Sequence, residues 1–323
     1  MRYNRLGTSG LVVSRMCFGA GSLGVGETLP GLIKNIDQKA ADEIVARAID
    51  RGITFFDTSD KYVEGRSEET LGRALGARRK DVVLATKCGI RIGPMPTDAG
   101  LSARHIVESA EKSLKRLGTD WVDIYYAHTF DKQTPLEETA RAFEHLIQRG
   151  MARYVAISNW PAWMAARMLG IADRQGYAPV ICNQVYYSMV GRDIERELVP
   201  MAEATGLGLV VYSPLAGGFL SGKYNRNEPP PPGTRRATFS SHPKMDLDTA
   251  FKVVDTLKDL APKYKATPAQ VALAWTMQKP FINAVIFGIS RLSQLEDNLG
   301  AADLVLADDD FKRLDALTAP GTA

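Results

Sequence analysis

The repeating unit that decides the fold is clearest at residues 41–57, which read ADEIVARAIDRGITFFD. Apolar residues at positions 41, 44, 45, 48 and 49 fall on one face of a helix, and Gly52 ends that helix. The run Ile53–Phe56 that follows is nearly continuously apolar, which is typical of a strand buried on both faces. A helix that alternates with a buried strand is the unit of a parallel α/β sheet.

The same alternation continues along the whole chain. Helical periodicity recurs before Gly118 and before Gly150, and seven more short apolar runs are typical of buried strands. Eight strand–helix units favour a closed (β/α)8 TIM barrel, with an open doubly wound sheet as the alternative. Since no change in composition marks a boundary, we predict a single domain over residues 1–323. The predicted strands are Met16–Phe18, Ile53–Phe56, Val82–Thr86, Trp121–Ala127, Tyr154–Ile157, Val180–Gln184, Leu207–Tyr212 and Ala284–Phe287.

Two segments lie outside this repeat. Residues 1–15 contain the turn sequence Gly7-Thr8-Ser9-Gly10, which predicts an N-terminal β-hairpin before the barrel. The connection 214–246 follows the seventh strand and contains four consecutive prolines at 229–232. Loops of that length are usually functional or disordered, and a plain surface insertion is the alternative.

Composition and charge exclude several classes of protein. The 323 residues are 45% hydrophobic and carry 40 basic against 37 acidic side chains, a balance that argues against nucleic acid or an anionic membrane as partner. Three scattered cysteines, Cys17, Cys88 and Cys182, predict no disulfide framework and no metal site, and they fit a reducing, cytoplasmic compartment. The first residues lead into no apolar signal segment, and Thr205–Gly222 is too rich in glycine for a membrane span.

A glycine-rich stretch after the first strand matches the dinucleotide fingerprint GxGxxG at residues 19–24. The fingerprint must open a helix, but no helical period begins before about Gln38. The next acidic strand end, Asp57, also lies too far along the chain. We therefore reject a Rossmann fold and expect these glycines to let the first loop approach a ligand at the barrel mouth.

A second phosphate motif, GxxxxGK, occurs at residues 217–223. A P-loop requires Ser or Thr next, to hold magnesium, and this chain has Tyr224. The segment therefore argues against a nucleoside triphosphatase, although its backbone N–H groups could still wrap a phosphate.

Polar residues end three successive predicted strands. They are Asp57, Lys87 and His128, and Tyr62 follows Asp57 in the same loop. Because active residues of such barrels lie at the carboxyl ends of the strands, these four side chains are expected to meet. A lysine directly after an apolar strand needs a partner, and Asp57 is on the neighbouring strand.

This set of residues predicts proton transfer. An ammonium beside a phenol is expected to lower the pKa of Tyr62 from about 10, which would make it an acid for carbonyl reduction or a base for alcohol oxidation. Asp57 would keep Lys87 charged, and His128 would hold a substrate oxygen. Taken singly, Asp57 could be a helix cap, His128 a core residue and Lys87 a Schiff-base nucleophile.

The residues Asp57-Thr58-Ser59-Asp60-Lys61-Tyr62 and Gly65-Arg66-Ser67-Glu68 resemble the signature of the aldo-keto reductase superfamily. The resemblance covers nearly the whole chain, with Val63 at a position where the family usually has Gly. It implies a catalytic tetrad of Asp57, Tyr62, Lys87 and His128, with Tyr62 as general acid, in a barrel that depends on NADP(H).

The second half of the chain resembles the family's cofactor-binding segments. Ser158, Asn159 and Gln184 would bind the nicotinamide amide, and Tyr212 would stack on the nicotinamide ring. The segment after it would wrap the pyrophosphate, loop 214–246 would cover the cofactor, and Arg235 and Arg236 could reach a phosphate. Asp297 stands where the family usually has Glu. The residues that the resemblance assigns to the cofactor are Ser158, Asn159, Gln184, Tyr212, Ser213, Leu215, Gly217, Lys223, Gly288, Ser290, Arg291, Gln294, Asp297 and Asn298.

The expected function is therefore reversible, NADPH-dependent reduction of an aldehyde or ketone to an alcohol. The family also includes cytosolic channel subunits that retain a cofactor site, so a weakly catalytic or non-catalytic regulatory subunit is an alternative. A Schiff-base aldolase that uses Lys87 is a third possibility. The expected partner is a small carbonyl or alcohol substrate, and the chain is expected to be a monomer or a homo-oligomer.

Overall fold

A closed barrel of eight parallel strands organises the chain. The computed structural model describes residues 1–29, 32–238 and 245–319. Around the barrel the strands follow in chain order, and the last pairs with the first, through Phe287 and Phe18. The (β/α)8 barrel is thus confirmed, and the open sheet is excluded. The strands are β1 (Tyr3–Arg5), β2 (Val12–Ser14), β3 (Met16–Gly19), β4 (Gly24–Leu29), β5 (Leu32–Ile36), β6 (Phe55–Asp57), β7 (Val83–Cys88), β8 (Val122–Ala127), β9 (Ala152–Ser158), β10 (Val180–Tyr186), β11 (Gly208–Tyr212) and β12 (Ala284–Gly288), of which β3 and β6–β12 form the barrel.

Helices connect the barrel strands and cover their outer face. Ser102 caps the helix that begins at Ala103, and Gly118, with φ +63°, ends it as the sequence pattern predicts. The helices are α1 (Gln38–Asp50), α2 (Arg66–Leu75), α3 (Ala103–Leu117), α4 (Leu136–Gln148), α5 (Ala162–Gln175), α6 (Leu198–Thr205), α7 (Arg235–Thr238), α8 (Leu247–Leu260), α9 (Pro268–Gln278), α10 (Leu292–Leu299) and α11 (Asp308–Ala316). Among the described residues, no helix is both long and apolar enough to cross a membrane.

The apolar core has two layers, because successive strand residues point to opposite faces. The outer layer lies between strands and helices and contains, for example, Phe18, Phe56 and Trp275. The inner layer fills the barrel, so the barrel is a packed core and not a channel. It comprises Leu6, Val13, Cys17, Phe55, Ala85, Ile124, Tyr126, Ala156, Ile181, Cys182, Val210, Ala284 and Ile286.

The N-terminal hairpin is confirmed and closes one end of this inner layer. Strands β1 and β2 pair antiparallel, and Leu6 and Val13 from the hairpin are fully buried against the barrel interior. Gly7 has φ +59°, and a Cβ there would lie 2.6 Å from the carbonyl oxygen of Gly206. Only glycine allows this close approach.

A second hairpin, β4–β5, was not anticipated by the sequence and follows the first barrel strand. The glycine-rich segment continues into β4, which pairs antiparallel with β5. Since α1 begins only at Gln38, no helix follows the glycines, and the rejection of a Rossmann fold is confirmed. Loop 214–246 follows β11 as predicted, and its residues 239–244 lie outside the described part of the chain. The single-domain organisation of residues 1–323 stays a prediction.

Candidate active site

The four predicted catalytic residues meet at the carboxyl end of three adjacent strands. Asp57 is the last residue of β6, Lys87 lies near the end of β7, and His128 directly follows β8. These strands are neighbours in the barrel. Asp57, Lys87 and His128 are buried, whereas Tyr62, at the start of a short 3-10 turn, is partly exposed. The barrel thus brings together residues that lie up to 71 positions apart along the chain.

Lys87 and Asp57 form a fully enclosed ion pair. The Lys87 ammonium donates to Asp57 Oδ1 and, at 2.8 Å, to the carbonyl oxygen of Thr58. From the opposite side of the barrel, Gln184 Nε2 donates to Asp57 Oδ2 at 2.9 Å. Burial by itself lowers the pKa of Lys87, but the Asp57 carboxylate, followed by the oxygen of Tyr62, outweighs it and raises the pKa above its ordinary value. Lys87 is therefore a stable ammonium.

The ring of Tyr62 lies between this ammonium and His128. Lys87 Nζ is 5.0 Å from the Tyr62 ring centroid, and the His128 ring meets Tyr62 edge-to-face with centroids 5.6 Å apart. The pKa of Tyr62 is raised, chiefly by burial, with Asp57 adding to the rise and Lys87 opposing it. The downward direction inferred from the ammonium alone was thus wrong, because desolvation is the larger effect. Tyr62 therefore retains its proton near neutral pH and can donate it.

His128 is a neutral imidazole in this environment. Burial and the charge of Lys87 both lower its pKa well below the ordinary value. Its Nδ1 lies 3.0 Å from Ser59 Oγ. A neutral imidazole carries one proton, so the second nitrogen is either a donor or an acceptor toward a ligand.

The residues expected to bind the nicotinamide amide connect directly to these four. Ser158 Oγ donates to the carbonyl oxygen of Gln184 at 2.9 Å, and Asn159 Nδ2 donates to the carbonyl oxygen of His128 at 3.3 Å. The Tyr212 hydroxyl donates to Asn159 Oδ1 at 3.0 Å. Strands β9, β10 and β11 therefore supply one polar network that faces the ion pair across the barrel mouth.

Backbone strain is concentrated at this mouth. Within the described ranges six non-glycine residues have a left-handed backbone, and five of them lie in loops that follow barrel strands. Such residues cost about 1–3 kcal/mol each and cluster at binding and catalytic sites. The five are Val63, Glu64, Asn159, Ser213 and Ala216.

Loop 214–246, which is predicted to cover the cofactor, contains a buried donor atom without a partner among the described residues. Arg235 Nε is buried and has no hydrogen-bond partner among the described residues, and its charge acts on nearby Tyr212. Arg236 instead stacks on the ring of Phe219, at 5.2 Å. A Cβ at Gly218 would lie 2.8 Å from Lys223 Nζ, so the glycine turn lets this ammonium lie against the backbone. These groups fit an anionic ligand between Tyr212 and loop 214–246.

The loop after β12 places Gly288, Ser290 and Arg291 at the surface. The Ser290 N–H donates to Gln294 Oε1 at 2.7 Å, and Arg291 Nε donates to Ser293 Oγ at 3.0 Å. Within the described residues the two terminal nitrogens of this exposed guanidinium make no hydrogen bond, which leaves them accessible to an anion. Two further residues of the predicted set occupy less accessible places. Asp297 accepts from Thr267 Oγ1 and Gln270 Nε2, and Asn298 is buried.

The comparison with protein families covers the same region as the barrel. The model of the Aldo/keto reductase family matches residues 15–319. The chain belongs to the Aldo/keto reductase family.

Three curated relatives of this aldo/keto reductase have names that describe different roles. A probable voltage-gated potassium channel subunit beta of Arabidopsis thaliana is 39% identical over 314 residues, which cover 94% of this chain and 92% of the relative. A putative subunit of the same kind from Schizosaccharomyces pombe is 35% identical, with 97% and 92% covered. The uncharacterized oxidoreductase YrpG of Bacillus subtilis is 35% identical over 334 residues, with 99% and 97% covered.

Sequence reasoning missed a buried acidic pair behind the aldo/keto reductase site. Glu68 is fully buried and accepts hydrogen bonds from Thr86 Oγ1 and, at 2.6 Å, from Arg116 Nε. Asp60 is 3% exposed, and its Oδ2 has no partner in the described ranges. Burial, followed by the charge of Glu68, raises the pKa of Asp60 to about 7. The available signal was that Asp60 and Glu68 both belong to the signature segment. Their spacing along the chain does not show that the two carboxyls lie close together.

Proposed function

We propose that this chain is an NADPH-dependent oxidoreductase that reversibly reduces an aldehyde or ketone to an alcohol. The observation that carries the proposal is the placement of Tyr62, which keeps its proton near neutral pH and whose ring centroid lies 5.0 Å from the buried Lys87 ammonium and 5.6 Å from the neutral His128 ring. A proton donor next to a fixed cation is suited to a substrate oxygen that becomes negative as it is reduced.

Each residue then has a defined part. NADPH, when bound, supplies the hydride. Tyr62 gives its proton to the substrate oxygen, and the Lys87 ammonium stabilises the phenolate that is left. Asp57 holds that ammonium in place, and it is itself held by Gln184. His128 orients the substrate oxygen by a hydrogen bond. In the oxidation direction, the phenolate takes the proton back.

The preference for NADPH over NADH rests on Arg291. Its guanidinium is exposed at a strand-to-helix turn, and a guanidinium suits a phosphate. Arg235 and Lys223 support binding of the pyrophosphate, with loop 214–246 as the cofactor cover. The three unpaired, buried cysteines support a reducing compartment, the cytoplasm.

Consumption of NADPH with a panel of aldehydes, ketones and sugars tests the proposal. Tyr62→Phe should remove turnover without removing cofactor binding. Tyr154→Phe, on the same barrel but at the start of β9 and far along the strand from the mouth, is the matched control and should keep turnover. Turnover that survives in Tyr62→Phe would contradict the proposed acid.

A regulatory role is a second candidate, because relatives from a plant and a yeast are named as potassium channel β subunits. An intact site does not separate the two roles, since binding a cofactor can itself be the signal. Tight NADPH binding without turnover of any tested carbonyl, in a protein whose solution mass shows a defined oligomer, would favour the regulatory role.

The Schiff-base aldolase is disfavoured by the charge state of Lys87. A Schiff base needs a neutral amine, whereas Asp57 and Tyr62 raise the pKa of this lysine. Borohydride in the presence of carbonyl substrates should therefore trap no covalent adduct on Lys87.

A further inference from the structure

The hydroxyl of Ser59 lies between two groups that compete for its proton. Ser59 is fully buried, and its Oγ is 3.0 Å from His128 Nδ1 and 3.2 Å from Asp60 Oδ1. The backbone N–H of Lys61 donates to the same oxygen at 3.2 Å. A hydroxyl has one proton and two acceptor lone pairs. With one lone pair occupied by Lys61, one donor and one acceptor position are left for His128 and Asp60.

Two arrangements satisfy all three groups and leave no buried donor without an acceptor, because a proton on Asp60 Oδ2 would have no acceptor among the described residues. In the first, Ser59 donates to His128 Nδ1, and Asp60 carries a proton that it donates to Ser59. In the second, Ser59 donates to an ionised Asp60, and His128 Nδ1–H donates to Ser59. Each arrangement fixes the tautomer of the neutral imidazole, because that ring has only one proton.

The tautomer decides what His128 offers to a ligand. No hydrogen bond to His128 Nε2 is found within the described residues, and this atom is not among the fully enclosed polar atoms of that part of the chain. The first arrangement gives an Nε2–H that can donate to a carbonyl oxygen. The second gives an Nε2 lone pair that can accept from an alcohol.

We propose that Ser59 is a positioning residue that sets which ring nitrogen of His128 carries the proton, and that the charge of Asp60 decides the orientation of the Ser59 hydroxyl. The catalytic consequence rests on the proposed carbonyl chemistry. The assignment of the tautomer does not, because it follows from the Asp60–Ser59–His128 geometry and the charge of Asp60.

The groups around Asp60 set the pKa of its carboxyl close to neutral pH. Glu68 from α2 opposes its ionisation and Arg116 from α3 favours it, and a hydrogen bond from the Ser59 hydroxyl also favours the ionised form. Tyr62, Cys88 and Tyr125 also face it, and its charge raises the pKa of each. Because burial and Glu68 are the largest effects, the pKa of Asp60 is about 7. The pKa of His128 is far lower, so the imidazole stays neutral while Asp60 titrates.

The direct test is nitrogen-15 NMR of the imidazole rings in the full chain, between pH 6 and pH 9. The chain has only four histidines, so His128 can be assigned by comparison with His128→Asn. In the wild type, the protonated nitrogen should shift from Nε2 toward Nδ1 as pH rises through about 7. Asp60→Asn, which cannot ionise, should abolish this pH dependence, and so should Ser59→Ala.

The kinetic test separates positioning from structure. Ser59→Ala should lower kcat for carbonyl reduction by roughly 3- to 10-fold, the value of one neutral hydrogen bond, and should leave NADPH affinity unchanged. Ser59→Thr, which keeps the hydroxyl, should restore kcat and its pH profile.

Two results would overturn the inference. One is a His128 tautomer that stays constant between pH 6 and pH 9 in the wild type. The other is the same pH-dependent change in Ser59→Ala as in the wild type. An absence of carbonyl turnover in the wild type would instead contradict the proposed function, and the NMR titration would still decide the role of Ser59.

Discussion

Replacing Asp60 with asparagine is expected to stabilise the folded protein at pH 8 far more than at pH 5. Asp60 is buried next to Glu68, and one of its oxygens has no partner in the described ranges. The pKa of its carboxyl is about 7 in the folded protein, against an ordinary value of 3.8. The folded state therefore binds this proton more tightly than the unfolded state does. Stability from this group is present at low pH and is lost as pH rises from about 4 to about 7.

The size of the effect follows from that shift. A shift of about three pKa units corresponds to a loss on the order of 4 kcal/mol once pH exceeds the folded value, at about 1.4 kcal/mol per unit. Between pH 5 and pH 8, the free energy of unfolding falls by about 2–3 kcal/mol because of this group. Asparagine has nearly the same shape but no charge, so the variant lacks this loss.

Urea denaturation of wild type and Asp60→Asn at pH 5 and pH 8 measures the difference. The free energy of unfolding of the variant minus that of the wild type should increase by about 2–3 kcal/mol from pH 5 to pH 8. Glu203→Gln, at an exposed position of α6, is the control. A gap that is the same at both pH values would refute the reasoning and would show that Asp60 is ionised throughout.

Three further predictions concern the site. Tyr62→Phe should lower kcat roughly 100-fold or more, the usual contribution of a general acid, with little change in cofactor affinity measured by fluorescence quenching; near-normal turnover would remove Tyr62 from its assigned role. Lys87→Met should abolish activity at neutral pH and destabilise the fold by about 3–5 kcal/mol, since Asp57 is left as an unpaired buried charge; thermal denaturation and steady-state rates measure both effects, and unchanged stability would show that the pair is dispensable. Arg291→Ala should weaken NADPH binding by roughly 10- to 100-fold and leave NADH binding nearly unchanged, because one charge-assisted hydrogen bond contributes about 1.5–3 kcal/mol; Arg313→Ala is the exposed control, and an equal fall for both nucleotides would assign Arg291 to the pyrophosphate or the fold.

The barrel and its polar mouth could be predicted because burial leaves a local mark on the sequence. A strand covered on both faces is almost entirely apolar, so the first charged residue after it identifies the strand end. Lys87 and His128 were found in this way, and neighbouring strands in chain order are neighbours in the barrel. The β4–β5 hairpin was not predicted from the sequence, for the opposite reason. Its strand β4 contains Gly24 and Gly26, both with positive φ, and glycines of that kind predict a loop.

The predicted cofactor residues show where sequence reasoning reached its limit. Arg235 and Arg236 are adjacent and chemically identical, but only the fold buries Arg235 Nε, without a partner in the described part of the chain, and stacks Arg236 on Phe219. Asp297 matches the expected position, and its carboxylate contacts Thr267 and Gln270 from another helix. Which atoms remain free for a ligand depends on these neighbours.

The sequence by itself determined the barrel, the order of its strands and the identities of the four residues at its mouth, since each follows from patterns within a few residues. The protonation states were decided only by the tertiary structure. Gln184 holds Asp57 from 127 positions away, and Arg116 meets Glu68 from 48 positions away. Desolvation raises the pKa values of Tyr62 and Asp60 by enclosing them among such distant residues. Solvent exclusion and Coulomb interactions depend on distance in space, which separation along the chain does not give.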